Sequence, residues 1–169
     1  LMSELASSEP DWVHGHPHEP NPAPPSTDPA LAVSLPDGSI ETLSVADLVR
    51  LPQHSVADCY IVSTGHGRSG PFRFSGVRLT DLLSAFAVDL DLVQHIDVIA
   101  ADSFGARFVP SELDDSPNSR PPLLALRMDD RPMLRDQGLV RLITPGETDD
   151  ALRQVKWVSQ IIITVGPRR

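Results

Sequence analysis

The chain of 169 residues has one cysteine, one lysine and one tyrosine, and aromatic side chains make up only 5% of it. Each shortage closes a class of function. With Cys59 alone, an internal disulfide framework and a multi-cysteine metal site are both excluded. So few aromatic rings leave little for a base-stacking platform. A basic face is lacking too: 23 acidic against 14 basic side chains give a formal charge of −9. That balance argues against nucleic acids and anionic membrane surfaces as partners. No run of ~18 or more apolar residues occurs, so no membrane-spanning helix is expected. The opening stretch LMSELASSEPDW lacks the basic cluster and apolar core of a signal peptide. The expectation is an acidic, soluble protein, cytoplasmic, or exported if an upstream leader has been removed.

What is present is ordinary globular material, 40% hydrophobic and 22% charged, enough for one domain with a sizeable core. Proline is unevenly placed. Seven of the 17 prolines fall in residues 1–29, where HGHPHEPNPAPPSTDP favours extended chain over packed structure. The expected division is a Pro/His-rich tail over 1–29 and a folded domain over 30–169. His14, His16 and His18 alternate within that tail. Imidazoles so spaced can take up Zn²⁺, Ni²⁺ or Cu²⁺, but in a Pro-rich segment weak adventitious uptake is the favoured outcome.

From residue 30 the pattern becomes strand-rich. LAVSL and IETLS flank PDGS, whose turn chemistry predicts a hairpin. SVADLVRLP predicts a short helix with Ser44 as N-cap, Asp47 three residues on and Pro52 as its stop. SVADCYIVST and FRFSGVRL read as strands, and TDLLSAFAV as a second helix capped by Thr80. HIDVIAAD, ARFVP, LLALRMD, LVRLITP and QVKWVSQIIITVG are five further strand candidates. Strands dominate without a βαβ rhythm, so the fold class expected is α+β, with mixed β-sheets and short peripheral helices.

The stretch IVSTGHGRSGPFRFSG carries the first chemistry. A strand runs into a glycine-rich turn bearing His66 and Arg68, which is either a ligand cradle or simply a hairpin. As a cradle, Ser63, Gly65, His66 and Arg68 form a rim in which Arg68 suits an anion. Arg141 and Lys156 are the next candidates. The competing reading makes Val155-Lys156-Trp157 a determinant of the fold, with Trp157 in the core and Lys156 paired to a carboxylate. Asp102 is either a ligand contact or, the favoured reading, the initiator of a turn. Cys59, in mid-strand, reads as a buried apolar-like thiol. His54 and His95 read as boundary residues.

Three stretches stand in a distinctive order: FSGVRLTDLL, then IAADSFGARFVPSELDD, then QGLVRLITPGETDDALRQVKWVSQIIIT. Together, over about residues 30–165, they resemble the molybdopterin-binding domain of the sulfite oxidase family of oxidoreductases. The most specific matches are Arg141, Pro145, Gly146 and Val155-Lys156-Trp157. The resemblance implies a sulfite-oxidase-type fold and a molybdopterin cofactor. It further implies that Ser63, Gly65, His66, Arg68, Asp102, Phe104, Arg141 and Lys156 surround that cofactor. It also exposes departures. The family's metal-ligating cysteine falls on Ser63, its Asp-Gly-Tyr stands as Asp102-Ser103-Phe104, and its His-Gly as Gln137-Gly138. Cys59 lies four residues upstream, about 13 Å back along a regular strand. No catalytic residue and no protein metal ligand is therefore assigned. Two functions follow: a molybdopterin-binding, oxidoreductase-like protein impaired in redox chemistry, or a cofactor-free descendant serving as a small-ligand or protein-binding module. The expected partner is a small-molecule cofactor or ligand, and no oligomeric state is implied.

Overall fold

The computed structural model describes residues 11–14, 30–63, 67–113, 120–134, 139–145 and 154–166. Two five-stranded sheets enclose two apolar clusters. β1 (Leu31–Ser34) and β2 (Ile40–Leu43) form the expected hairpin around Gly38, whose φ of 90° only glycine adopts without strain. β10 (Val158–Val165) runs parallel to β1 and antiparallel to β5 (Val93–Ala100), and β6 (Gly105–Phe108) closes that sheet at its far edge. The second sheet is antiparallel throughout. It joins β3 (His54–Ser63), β4 (Gly67–Arg78) and β7 (Leu123–Met128), with β8 (Arg131–Pro132) and β9 (Arg141–Ile143) sharing the outer edge of β7. The mixed first sheet and few short helices make this an α+β fold, as the strand-rich pattern implied.

Helix α1 (Val45–Val49) starts as expected. Ser44 Oγ accepts from the Asp47 amide at 3.1 Å, and Asp47 Oδ2 accepts from the Ser44 amide at 2.9 Å, a reciprocal cap. The Ser44 amide, with the Ser44 hydroxyl second, holds the Asp47 carboxyl below its usual range. Helix α2 (Leu79–Ala85) departs from expectation: its N-cap is Arg78, with no side-chain cap bond, and Thr80 lies inside the first turn. The reason is burial. Leu79, Leu82 and Leu83 all enter the main core, so the helix begins at Leu79 to bring them onto one face. Arg78 pairs with Asp81 through two hydrogen bonds of 2.7 and 3.2 Å across that turn. Gly76, in the FSGVRL stretch, is no turn glycine. It sits within β4 beside an irregularity in the β4–β7 ladder, and a Cβ there would overlap the Leu124 carbonyl.

β3 is irregular where the sequence suggests smooth alternation. Between Val56, opposite Phe74, and Cys59, opposite Phe72, it carries one extra residue, and Asp58 takes a left-handed φ of 55°. The bulge turns both Val56 and Cys59 into the second core cluster with Phe74, Leu123 and Ile143. A compensating irregularity in β4 restores the register, so Ser63 pairs with Gly67 at the hairpin tip.

Most of the N-terminal stretch expected to be a tail lies outside the described residues. Asp11–His14, however, form a 3₁₀ turn, and Trp12 is 8% exposed within the main core. Packed chain therefore reaches into the 1–29 segment.

Candidate functional site

The glycine-rich stretch is the end of the β3–β4 hairpin. The backbones of Ser63 and Arg68 belong to its paired strands, while Gly65 and His66 lie outside the described residues. Two strands leading to a three-residue connection are a hairpin first; any cradle is built on that frame.

The five residues Gln154–Val158 organise the rest. Gln154 Nε2 donates to the Tyr60 carbonyl of β3 at 2.9 Å. Val155 exchanges backbone hydrogen bonds of 2.8 and 3.1 Å with Leu142 of β9. The Trp157 carbonyl accepts from the Ala101 amide at 2.9 Å, and the Val158 amide donates to the Val140 carbonyl at 2.8 Å. One short segment thus ties together β3, β9 and the turn after β5. Arg141, Lys156 and the turn at Asp102 are brought into one neighbourhood, next to the strand that ends at Ser63.

The Leu142–Val155 bridge is isolated: the next backbone bond joins Val158 to Val140 and Trp157 takes a left-handed φ of 53°, so Arg141 and Lys156 flank the bridge without continuing it as a ladder pair. Arg141 is 5% exposed, and burial pushes its guanidinium down to about 10. It is still a cation at neutral pH. Lys156 is half-buried, its Nζ 5.7 Å from the centre of the Trp157 ring, while Trp157 is itself buried. Two cations on segments joined by one backbone bridge, one of them withdrawn from water, are candidates to hold an anion.

Asp102 behaves first as a turn residue: its Oδ1 accepts from the Phe104 amide at 3.1 Å, and Ser103 takes a φ of 74°. Phe104 is 8% exposed and belongs to the main core, so its ring is used in packing rather than turned to an open site. Cys59 is 1% exposed. Burial raises its thiol pKa, offset in part by the Arg120 guanidinium 3.9 Å away, so the sulfur stays protonated at neutral pH. His54 and His95 are half-buried, and His95 Nε2 lies 3.9 Å from Asp97 Oδ2.

Two residues of this neighbourhood escaped the sequence reading. Gln154 is 8% exposed, and because its Nε2 must face the Tyr60 carbonyl, the orientation of its amide is fixed. Its Oε1 is buried and has no hydrogen-bond partner among the described residues. Arg120 donates to the carbonyls of Ala57 and Asp58, both at 3.0 Å, and of Pro145 at 3.4 Å. In sequence it is one arginine among thirteen, within a loop of prolines and aspartates, and only its position before a strand hinted at an anchoring role.

A groove of about 1010 Å³ lies elsewhere, at the opposite end of the β5–β10 pair, lined by Leu35, Asp37, Asp89, Asp91, Leu92 and Val165 among others. None of the residues singled out in the sequence lines it, and its three aspartates disfavour an anionic ligand. Among the described residues no helix is long and apolar enough to cross a membrane.

Comparisons with known proteins bear on the fold and the family. The chain is 29% identical over 147 residues to mitochondrial sulfite oxidase of Drosophila melanogaster, a match covering 73% of this chain and 25% of that protein. In three dimensions it is similar to the sulfane dehydrogenase SoxCD of Paracoccus pantotrophus, with a TM-score of 0.59 at 18% identity. That similarity covers 80% of this chain and 38% of the other, and at such identity it speaks to the fold alone. The chain therefore spans about a quarter of the sulfite oxidase it matches. The profile of the family described as oxidoreductase molybdopterin binding domain matches residues 21–169. With nearly its whole length matched, the chain belongs to the oxidoreductase molybdopterin binding domain family.

Proposed function

We propose that this chain binds molybdopterin beside the Gln154–Val158 segment and is impaired in redox turnover. The observation that carries the reading is that Arg141 and Lys156 are the residues flanking the Leu142–Val155 bridge, with Arg141 buried yet charged at neutral pH. Burying that cation costs on the order of 3 kcal/mol, judged from its lowered pKa. A phosphate held between the two cations offsets that cost. The orphaned Gln154 Oε1 adds a fixed acceptor for an N–H donor, which a pterin ring presents. The organic part of the cofactor therefore suits the residues present.

In this reading Arg141 and Lys156 hold the phosphate, Gln154 orients the heterocycle, and Asp102 shapes the turn beside it. Ser63, Gly65, His66 and Arg68, in the stretch that links β3 to β4, are proposed as further cofactor contacts. Phe104 contributes from below, as packing that stiffens the turn. When bound with its metal, molybdopterin supplies a redox centre, and this chain's residues bind it, orient it and screen it from water. The metal side fits less well. Ser63 occupies the thiolate position, and the only sulfur of a cysteine is buried against Phe74, Leu123 and Ile143. A protonated thiol there cannot serve as a ligand without rebuilding the bulged strand. That mismatch is the ground for impaired redox chemistry.

The test is to purify the protein from a host that makes molybdenum cofactor, grown with molybdate. Metal is then measured by elemental mass spectrometry, and pterin by the fluorescence of its oxidised form. The expected outcome is about one pterin per chain with molybdenum well below it. Molybdenum near one per chain, with turnover, overturns the impairment. Neither pterin nor metal in folded protein overturns the reading and favours the cofactor-free binding module, to which the core positions of Cys59 and Phe104 already lend support.

A further inference from the structure

Among the described residues β3 is an edge strand, with β4 on one side of its backbone and no strand on the other. Its bulge makes matters worse, because Ala57 and Asp58 are displaced from the ladder and Asp58 is held left-handed, at a cost of about 1 kcal/mol. Such a stretch needs an external reason to keep one shape. The reason is Arg120. Its two terminal nitrogens take the Ala57 and Asp58 carbonyls, and its Nε takes the carbonyl of Pro145, two residues beyond β9. Gln154 adds a second tie from the far side of the same loop, to the Tyr60 carbonyl. Three backbone acceptors within residues 57–60 are thus captured by side chains from the second half of the chain. Both ends of the 145–154 segment are pinned to the strand that leads to Ser63.

We propose that Arg120 is a positioning residue for the candidate site. It fixes the bulge of β3 against Pro145, and so sets the strand end at Ser63 relative to the Arg141–Lys156 pair. The proposal rests on the cofactor reading above and assigns Arg120 no contact with the ligand. Its fork geometry is what matters. A planar guanidinium can serve two carbonyls on one strand and a third across the gap, whereas an ammonium on a flexible stem cannot hold all three in one plane.

The test compares the full chain with Arg120→Met, Arg120→Lys and Arg120→Ala. The first readout is amide hydrogen exchange, which does not depend on any ligand. Arg120→Met is expected to accelerate exchange across residues 54–63 at least tenfold while residues 93–108 keep wild-type rates. The second readout is the affinity for 6-hydroxymethylpterin phosphate, followed by fluorescence quenching. A loss of at least tenfold is expected in Arg120→Met and in Arg120→Lys, with partial recovery in Arg120→Ala on adding millimolar ethylguanidinium. A general loss of packing would raise exchange everywhere and would not respond to the added guanidinium. Unchanged exchange in 54–63 overturns the proposal whatever the affinity. Unchanged affinity with wild-type binding intact overturns it while leaving the cofactor reading standing. If the wild type binds no pterin, the cofactor reading falls and this role of Arg120 falls with it.

Discussion

Arg141 shows what a single residue can carry. Its guanidinium lies in the interior with a depressed pKa, and for a base that sign means the fold bears a cost whenever the group is charged. The cost is full below about pH 10 and fades as pH climbs from there toward the ordinary arginine range. At neutral pH it is entirely present, which is poor design for stability and good design for holding an anion. Arg141→Met removes that cation and with it the candidate anion site. The wild type should melt higher in phosphate than in chloride at equal ionic strength, and the variant should lose that difference. Scanning calorimetry in the two buffers checks it; a phosphate effect that persists in the variant sinks the anion site. This residue was legible in the sequence only through its motif, since an arginine carries no mark of burial. Ser63, by contrast, was legible as a departure from the family pattern, and Cys59 as a mid-strand thiol. The bulge that drives Cys59 into the second cluster was hidden, because VADCYIV shows no glycine or proline to announce it.

At the scale of elements, local signals succeeded where they were self-contained. The PDG hairpin turn and the Ser44–Asp47 cap need only neighbours in sequence, and both formed as read. Signals that depend on tertiary demand failed. Thr80 was outbid as a cap because three leucines had to reach the core from an earlier start. Gly76 stands in a stretch read as a strand, and its constraint, the Leu124 backbone crossing it, is one that only the folded sheet reveals. That constraint is severe. A methyl group at 76 would overlap the Leu124 carbonyl and come within 2.9 Å of Ala125 Cα, and a backbone neighbour cannot swing aside. Gly76→Ala should cost ~3 kcal/mol or more, read as a lower urea midpoint at unchanged slope. A midpoint within experimental error of wild type would show that β4 and β7 can part locally, and would remove the account of why glycine stands there.

For the whole molecule, the open matter is where the domain starts. Composition placed the boundary near residue 30, because proline and histidine crowd the stretch before it and a lone tryptophan carries little weight in a window average. Packing disagrees at one point. Trp12 sits in the main core, its Nε1 donates to the Ser103 carbonyl at 3.1 Å, and Gly105 lies so close that a Cβ would come within 3.0 Å of the indole. The turn that presents Asp102 is therefore braced from behind by the N-terminal segment, on the edge strand β6 that would otherwise be open. Removal of a buried tryptophan typically costs ~3–5 kcal/mol, and a chain of this size loses roughly 2–4 °C for each kcal/mol. Trp12→Ala should lower the melting temperature by about 10 °C, and Trp12→Phe by clearly less, since the ring is kept and only the N–H donor is lost. Deleting residues 1–29 should lower it about as far as Trp12→Ala does, because both remove the same side chain. If the shortened chain melts with the full one, residues 1–29 are an appendage after all, and the Asp102 turn owes its shape to β5 and β6 alone.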